Sequence, residues 1–190
     1  MKERNTATKE GTADSIRPAR PWGEVAEFFE TNRQAWETSP QCKQLRSILA
    51  SANTPVEINK IVAFACGKFT FKPTSIIITH IVERSASQHA LILTLRDVLS
   101  EKKGNLGGIA CYAQDPGYSD TDKSILEKYG IKILSDPEGF LEVDDATVVL
   151  SFSPNVPVRQ VVADLARPAV MIWNRIMVEE AENEEEGAAM

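Results

Sequence analysis

Polar residues follow several apolar runs of this sequence, at points where buried strands of a parallel sheet would end. Asp115 directly follows the run IACYAQ, and Gly67 ends the run IVAFACG. Ligands of open α/β sheets bind beyond the carboxyl ends of the strands, so these residues could contact a ligand. The same rule adds further candidate ligand-binding residues, together with two residues near the start of a helical pattern: Lys68, Ser153, Asn155, Asn174, Gln88 and His89.

Asp115 has two interpretations, and the sequence leaves both open. An acidic residue after the second strand is where dinucleotide- and S-adenosylmethionine-dependent enzymes hold a ribose. Asp115 also begins an Asp-Pro pair, which opens a turn well. The loop CGKFTFKP offers one glycine where a pyrophosphate-binding loop needs several, and it does not match a P-loop. A dinucleotide site of the usual kind is therefore disfavoured, and Lys68 either contacts an anionic ligand or is solvated.

The histidines and serines do not form a recognisable catalytic group. His89 could act as a general base, but a lone helical histidine is more often a structural hydrogen-bonding residue, which is the interpretation that we favour. His80 and His89 have no cysteine or carboxylate at ligand spacing, so we predict no metal site. Ser153 is not within a G-x-S-x-G motif, and hydrolase chemistry is therefore unsupported. No catalytic residue and no cofactor can be assigned.

The charge distribution argues against nucleic acid as a partner. The 190 residues carry a formal net charge of −6, but six of the 27 acidic residues lie within 179–190, where there is no Lys or Arg. Outside that segment, 21 acidic residues balance 21 basic ones, so no basic surface is expected. No window approaches the length of a membrane span. The candidate partners that remain are a small polar ligand and a protein.

The cysteines and the first residues favour a reducing compartment. Cys42, Cys66 and Cys111 are odd in number, widely spaced and without a CxxC pair, so neither a disulfide framework nor a zinc site is expected. Residues 1–20 contain no apolar signal-peptide core. We therefore expect a cytoplasmic or nuclear protein.

The chain divides into four parts by composition. Residues 1–20 and the acidic residues 179–190 are predicted to be disordered. Residues 21–55 carry apolar side chains at helical spacing, with Ser39-Pro40 as the start of a second helix, and form a predicted helical extension. Residues 56–178 hold the main domain.

Within the main domain, short apolar runs alternate with amphipathic helical patterns. Continuous apolar runs are typical of strands buried on both faces of a parallel sheet. The segment 75–82 could be an extra strand or one side of a helix. The alternation predicts a Rossmann-like three-layer α/β sandwich with a mostly parallel five-stranded sheet and an N-terminal helical extension. The predicted strands are residues 61–66, 109–114, 131–134, 147–151 and 170–173.

The order of several short motifs resembles the SRR-like domain, the family named for the plant protein "sensitivity to red light reduced", in its fungal form. The matching features are a glycine after the first strand, Ser and Gln at a helix start, Asp-Pro after the second strand, Glu-Gly before the fourth strand, and Asn after the last. Here they fall on Gly67, Ser85 and Gln88, Asp115-Pro116, Glu138-Gly139 and Asn174. The Pro-His-Cys element of plant and animal members is replaced by SFSPNV, so Cys- or His-based chemistry is not implied at the fourth strand.

Three functions remain open at this stage. The resemblance implies a regulatory protein that binds a partner or small ligand at the carboxyl edge of its sheet, with family links to circadian and light signalling and to tetrapyrrole (haem) metabolism. The alternative is a nucleotide- or S-adenosylmethionine-dependent enzyme that uses Asp115 to hold a ribose. A third possibility is an interaction module that works through the helical extension and the acidic tail.

Overall fold

A computed structural model describes residues 20–54, 56–104, 108–152 and 154–174 of the 190-residue chain. The segments 1–20 and 179–190, which were predicted to be disordered, lie outside these residues except for Arg20. Ser153 also lies outside them. Among the described residues, no helix is both long and apolar enough to cross a membrane.

The centre of the fold is a five-stranded sheet in which every neighbouring pair is parallel. The strands are β1 (Lys60–Phe64), β2 (Ala110–Gln114), β3 (Ile131–Ile133), β4 (Thr147–Ser151) and β5 (Val170–Trp173). Their spatial order is β3-β2-β1-β4-β5. β1 lies in the middle, and the order reverses between β1 and β4, which places the topological switch point there.

Two helical layers cover the sheet, as the continuous apolar strands require. All five residues of β4 are buried, because helices cover both of its faces. The helices are α1 (Trp22–Thr38), α2 (Pro40–Ser51), α3 (Ile76–Lys102), α4 (Asp120–Lys128), α5 (Glu138–Leu141) and α6 (Val158–Leu165). One apolar cluster joins one sheet face to α1, α3 and α4, and a second joins the opposite face to α5 and α6. The predicted three-layer parallel fold is confirmed.

The two N-terminal helices pack against α3 rather than standing apart. Val25 and Phe29 of α1 are fully buried in the main apolar cluster. The indole N–H of Trp36 donates to Thr94 Oγ1 at 2.9 Å, which joins α1 to the middle of α3. The predicted start of α2 is confirmed, since the Ser39 side chain accepts a hydrogen bond from the backbone N–H of Cys42 at 3.1 Å.

The ambiguous segment 75–82 is helical and begins α3. The Ser75 hydroxyl accepts from the backbone N–H of Ile78, and the helix then continues for 27 residues. Its second half is buried on nearly every side because it lies between the sheet and the pair α1 and α2. Its first turns protrude, and Ile76 and Ile77 are exposed. The segment was ambiguous in the sequence because its three successive isoleucines fit either a strand or one side of a helix.

Candidate functional site

A crevice of about 370 Å³ opens at the carboxyl edge of the sheet, beside the switch point. Its walls come from the segments that follow β1, β2 and β4 and from one face of α3. The volume lies within the range of small-molecule sites. The described residues that line it are Ala65, Cys66, Gly67, Lys68, Phe71, Ile81, Arg84, Ser85, Gln88, Asp115, Pro116, Gly117, Phe152, Asn155 and Val156.

The loop after β1 turns sharply and lies directly against α3. Ala65 has a φ of +55°, which is unfavourable for a residue with a side chain, and Gly67 has a φ of +74°. A Cβ atom on Gly67 would lie 2.6 Å from Ser85 Oγ, so any larger residue would force the Ser85 side chain to shift. Glycine is therefore favoured here both by its backbone conformation and by the close approach of the loop to the Ser85 hydroxyl.

Asp115 joins the two loops that form the floor of the crevice. Its Oδ2 accepts the backbone N–H of Gly67 at 2.7 Å, and its Oδ1 accepts the backbone N–H of Gly117 at 2.8 Å. The second bond is the turn that the Asp-Pro pair predicted, while the first crosses from β2 to the loop after β1. Asp115 thus fixes the relative position of these loops and remains partly exposed at the crevice.

A second carboxylate, Asp122, anchors the same loop from behind. It is fully buried and is the third residue of α4, where it completes a capping box with Ser119. Its Oδ1 accepts the backbone N–H of Phe69 at 3.0 Å, and its Oδ2 accepts the Thr70 hydroxyl at 3.0 Å. Oδ2 also accepts the N–H and the hydroxyl of Ser119. Four donors from two separate segments therefore surround one carboxylate. The sequence analysis did not identify Asp122 as part of this region.

His89 lies in the core behind the crevice and does not line it. Its Nδ1 is 2.7 Å from the Ser85 carbonyl oxygen, and its Nε2 is 2.6 Å from the Tyr118 hydroxyl oxygen. A carbonyl can only accept, so Nδ1 carries the proton and Nε2 accepts from Tyr118. Burial lowers the pKa of His89 to about 4, and burial raises the pKa of Tyr118 well above its ordinary value. The neutral imidazole thus connects α3 to the loop after β2, which is a structural role.

The thiol in the crevice is not activated. Burial, with a smaller contribution from the nearby Asp115 charge, raises the pKa of Cys66 to about 12. The nucleophilic form is the thiolate, so Cys66 is an unreactive thiol at neutral pH. The Cys66 thiol in the crevice and the His89 imidazole behind it are therefore both held in their neutral forms.

The structure brings five of the eight sequence-predicted ligand residues together at the crevice: Gly67, Lys68, Gln88, Asp115 and Asn155. His89 lies behind it, and Asn174 is exposed after the edge strand β5, away from the crevice lining. Ser153 falls outside the described residues.

Sequence reasoning missed the contribution of the first turns of α3. Ile81 and Arg84 line the crevice together with Gln88, at spacings of three and four residues along one helix face. A helical assignment of segment 75–82 would have revealed this face. Phe71 and Phe152, which supply aromatic walls, lie in loops where no periodic pattern marks them.

Comparison with protein-family models gives one informative result. The model described as "SRR1 domain" matches residues 41–187, which is well over half of the chain and includes every strand of the sheet. No curated protein and no solved structure matches the chain. The match starts at α2, so it includes one of the two helices that the sequence analysis treated as an extension. It confirms the resemblance seen in the order of short motifs, and the chain therefore belongs to the SRR1 domain family.

Proposed function

We propose that this SRR1-domain protein is a regulatory protein that binds a small polar ligand in the crevice at the carboxyl edge of its sheet. The observation that carries the proposal is the crevice itself, which lies at the switch point and has a floor fixed by the hydrogen bonds of Asp115 to Gly67 and Gly117. Such preformed concave sites are where α/β sheets bind ligands. The links of the family to light and circadian signalling and to tetrapyrrole metabolism belong to this proposal as its biological setting.

Binding without catalysis is supported by the protonation and the hydrogen bonds of the side chains that could react. The pKa of Cys66 is raised to about 12, and both ring nitrogens of His89 are engaged with Ser85 and Tyr118. Asp115 directs both carboxylate oxygens to backbone amides. These groups therefore shape the crevice, and the polar side chains that face into it, including Gln88 and Asn155, are suited to recognition.

The experiment is a thermal-shift screen of the full chain against nucleotides, S-adenosylmethionine and tetrapyrroles, followed by a test of location. Val156→Trp narrows the crevice at a residue that is 55% exposed, so the larger side chain needs no space in the core. Leu165→Trp on α6 is the matched control, since Leu165 is 59% exposed and does not line the crevice. We expect Val156→Trp alone to weaken binding of any hit. A hit that binds both variants as it binds the wild type would contradict the proposed location.

The second candidate function is a nucleotide- or S-adenosylmethionine-dependent enzyme. Its support is that Asp115 is partly exposed at the crevice and that each carboxylate oxygen can accept a second hydrogen bond, from a ribose hydroxyl. Under this hypothesis, adenosine binds more tightly than adenine to the wild type, and Asp115→Asn removes that difference. Equal affinities of adenosine and adenine for the wild type would exclude the ribose role.

A further inference from the structure

We propose that the ligand of the crevice is a heterocycle whose edge carries an N–H donor beside a hydrogen-bond acceptor, as a cyclic amide or an amino-substituted ring does. This inference rests on the proposed function, because it names the chemical class that the same crevice recognises. Two features carry it: carboxamide side chains of the lining that have no hydrogen-bond partner, and exposed apolar residues beside them.

Gln88 and Asn155 bring two carboxamide groups to the crevice from different elements. Gln88 is half-buried on α3, and Asn155 is exposed in the segment that follows β4. Within the part of the chain that the structure describes, neither side chain makes a hydrogen bond. Each carboxamide therefore has its NH₂ donors and its carbonyl acceptor available to a ligand.

Gln88 shares one face of α3 with exposed apolar surface of the same crevice. Ile81, which is 39% exposed, precedes Gln88 by two helical turns, or about 10 Å along the helix axis. Val156, which is 55% exposed, and Phe152 add apolar surface from the segment after β4. A compound of two fused rings that covers these apolar side chains therefore also removes water from the Gln88 carboxamide.

The loss of water from Gln88 selects the polar group of the ligand. A hydrocarbon ring would leave both the NH₂ group and the carbonyl oxygen of Gln88 without a partner, which weakens binding. A group that only accepts hydrogen bonds would satisfy the NH₂ group but not the carbonyl oxygen. An edge with a donor beside an acceptor satisfies both at once, as when Asn or Gln binds the edge of adenine through two hydrogen bonds.

The test measures binding of four two-ring probes to the ¹⁵N-labelled full chain by NMR titration. Isoquinolin-1(2H)-one carries the edge as a cyclic amide, and 4-aminoquinazoline carries it as an amino group beside a ring nitrogen. 2-Methylisoquinolin-1(2H)-one lacks the N–H donor, and 1-naphthol carries a single hydroxyl. We expect at least one of the first two probes to bind about ten-fold or more tightly than either of the others, and to shift the side-chain NH₂ signals of Gln88. The tighter of the two identifies a cyclic amide or an amino-substituted ring as the recognised group.

Variants assign the recognition to its residue. Gln88→Met keeps the length of the side chain and removes both polar groups, so it should weaken the better edge-bearing probe about ten-fold or more. It should not weaken 2-methylisoquinolin-1(2H)-one, which shows that the crevice itself is intact. Gln44→Met removes an exposed carboxamide of α2 that does not line the crevice, and it should leave all affinities unchanged. Equal effects of Gln88→Met and Gln44→Met would overturn the inference, as would an equal loss of both isoquinolinones in Gln88→Met.

The same experiment separates this inference from the proposed function. If 2-methylisoquinolin-1(2H)-one or 1-naphthol binds as tightly as the edge-bearing probes and is weakened by Val156→Trp, the crevice is a ligand site but the inferred class is wrong. If neither edge-bearing probe binds at millimolar concentration, the inferred class is also wrong. The proposed function itself fails only when compounds that bind the chain are indifferent to Val156→Trp.

Discussion

Replacing Asp122 by asparagine should destabilise the protein far more than the same change two residues earlier in the same helix. The Asp122 carboxylate is fully buried and accepts from Phe69 N–H, Thr70 hydroxyl, and the N–H and hydroxyl of Ser119. Asparagine has one acceptor oxygen in place of two. If that oxygen stays with Phe69, the new NH₂ group faces Ser119 N–H, and the reverse orientation leaves Phe69 N–H without an acceptor.

The magnitude follows from these contacts. One stranded buried amide costs about 1–3 kcal/mol, and the remaining bonds lose the strengthening that an ionised acceptor gives. We expect a total of about 2–4 kcal/mol. For a chain of this size, each kcal/mol lowers the melting temperature by roughly 2–4 °C, so the expected loss is roughly 4–16 °C. Asp122→Ala, which strands both backbone amides, should cost more than Asp122→Asn.

The control is Asp120→Asn, at the first position of the same helix. Asp120 is fully exposed, so this change removes a negative charge from the helix N-terminus but no buried hydrogen bond. We expect only the small helix-dipole effect, at most a few degrees. Thermal unfolding gives the comparison, and hydrogen exchange of the Phe69 amide should accelerate only in the Asp122 variants. Equal melting temperatures for Asp122→Asn and Asp120→Asn would refute the reasoning.

Three further predictions concern the surroundings of the crevice. Burial lowers the pKa of His89 to about 4, below its ordinary 6.5, so the unfolded chain takes up a proton before the folded protein does as the pH falls. The free energy of unfolding should therefore drop by up to about 3 kcal/mol between pH 6.5 and 4. In urea unfolding, His89→Gln should show a flatter pH dependence of this free energy than the wild type. Gly67→Ala should cost about 1–3 kcal/mol in chemical denaturation, and Ser85→Ala should recover part of it by removing the atom 2.6 Å from the new Cβ; additive effects would disprove the clash. All three buried thiols should resist Ellman's reagent in the native protein and react after denaturation, and rapid native labelling of Cys66 would contradict its burial.

The sheet was predictable because each strand is a nearly continuous apolar run, as its burial on both faces requires. The ends of the elements were less predictable. β1 was expected to run to Cys66, but it ends at Phe64 because the chain turns at Ala65, where φ is +55°. The residue types at Ala65, Cys66 and Gly67 do not distinguish a positive φ at Ala65 from an extended strand. The helical start of α3 was equally hidden, since three successive isoleucines fit either a strand or a helix.

Apart from Gln88, which lies near the start of a helical pattern, the site was predictable only where it depends on strand ends. Gly67, Asp115 and Asn155 follow three strands, and parallel strands bring their ends together. The contribution of the first turns of α3 required knowing that 75–82 is helical. For Asp122, the spacing from Ser119 predicts a local capping box, but the donors from Phe69 and Thr70 lie about fifty residues away in the chain. Contacts at that separation depend on tertiary packing, which a local sequence pattern does not specify.

The two carboxylates near the crevice hold its backbone in place, and this assigns recognition to other side chains. Asp115 and Asp122 both accept hydrogen bonds from the loop that follows β1, one from Gly67 and one from Phe69. A loop fixed at both points loses little further freedom when a ligand binds, so the binding free energy is not consumed in ordering it. The lining side chains that are not engaged in fixing the backbone include Arg84, Gln88 and Asn155 and the exposed apolar residues. Exchange of either carboxylate should therefore weaken every ligand of the crevice to a similar extent, whereas exchange of Arg84 should weaken only the anionic ones. Parallel titrations of a charged and an uncharged ligand against these variants would reveal the difference, and a selective loss of one ligand in Asp122→Asn would show that this division of roles is wrong.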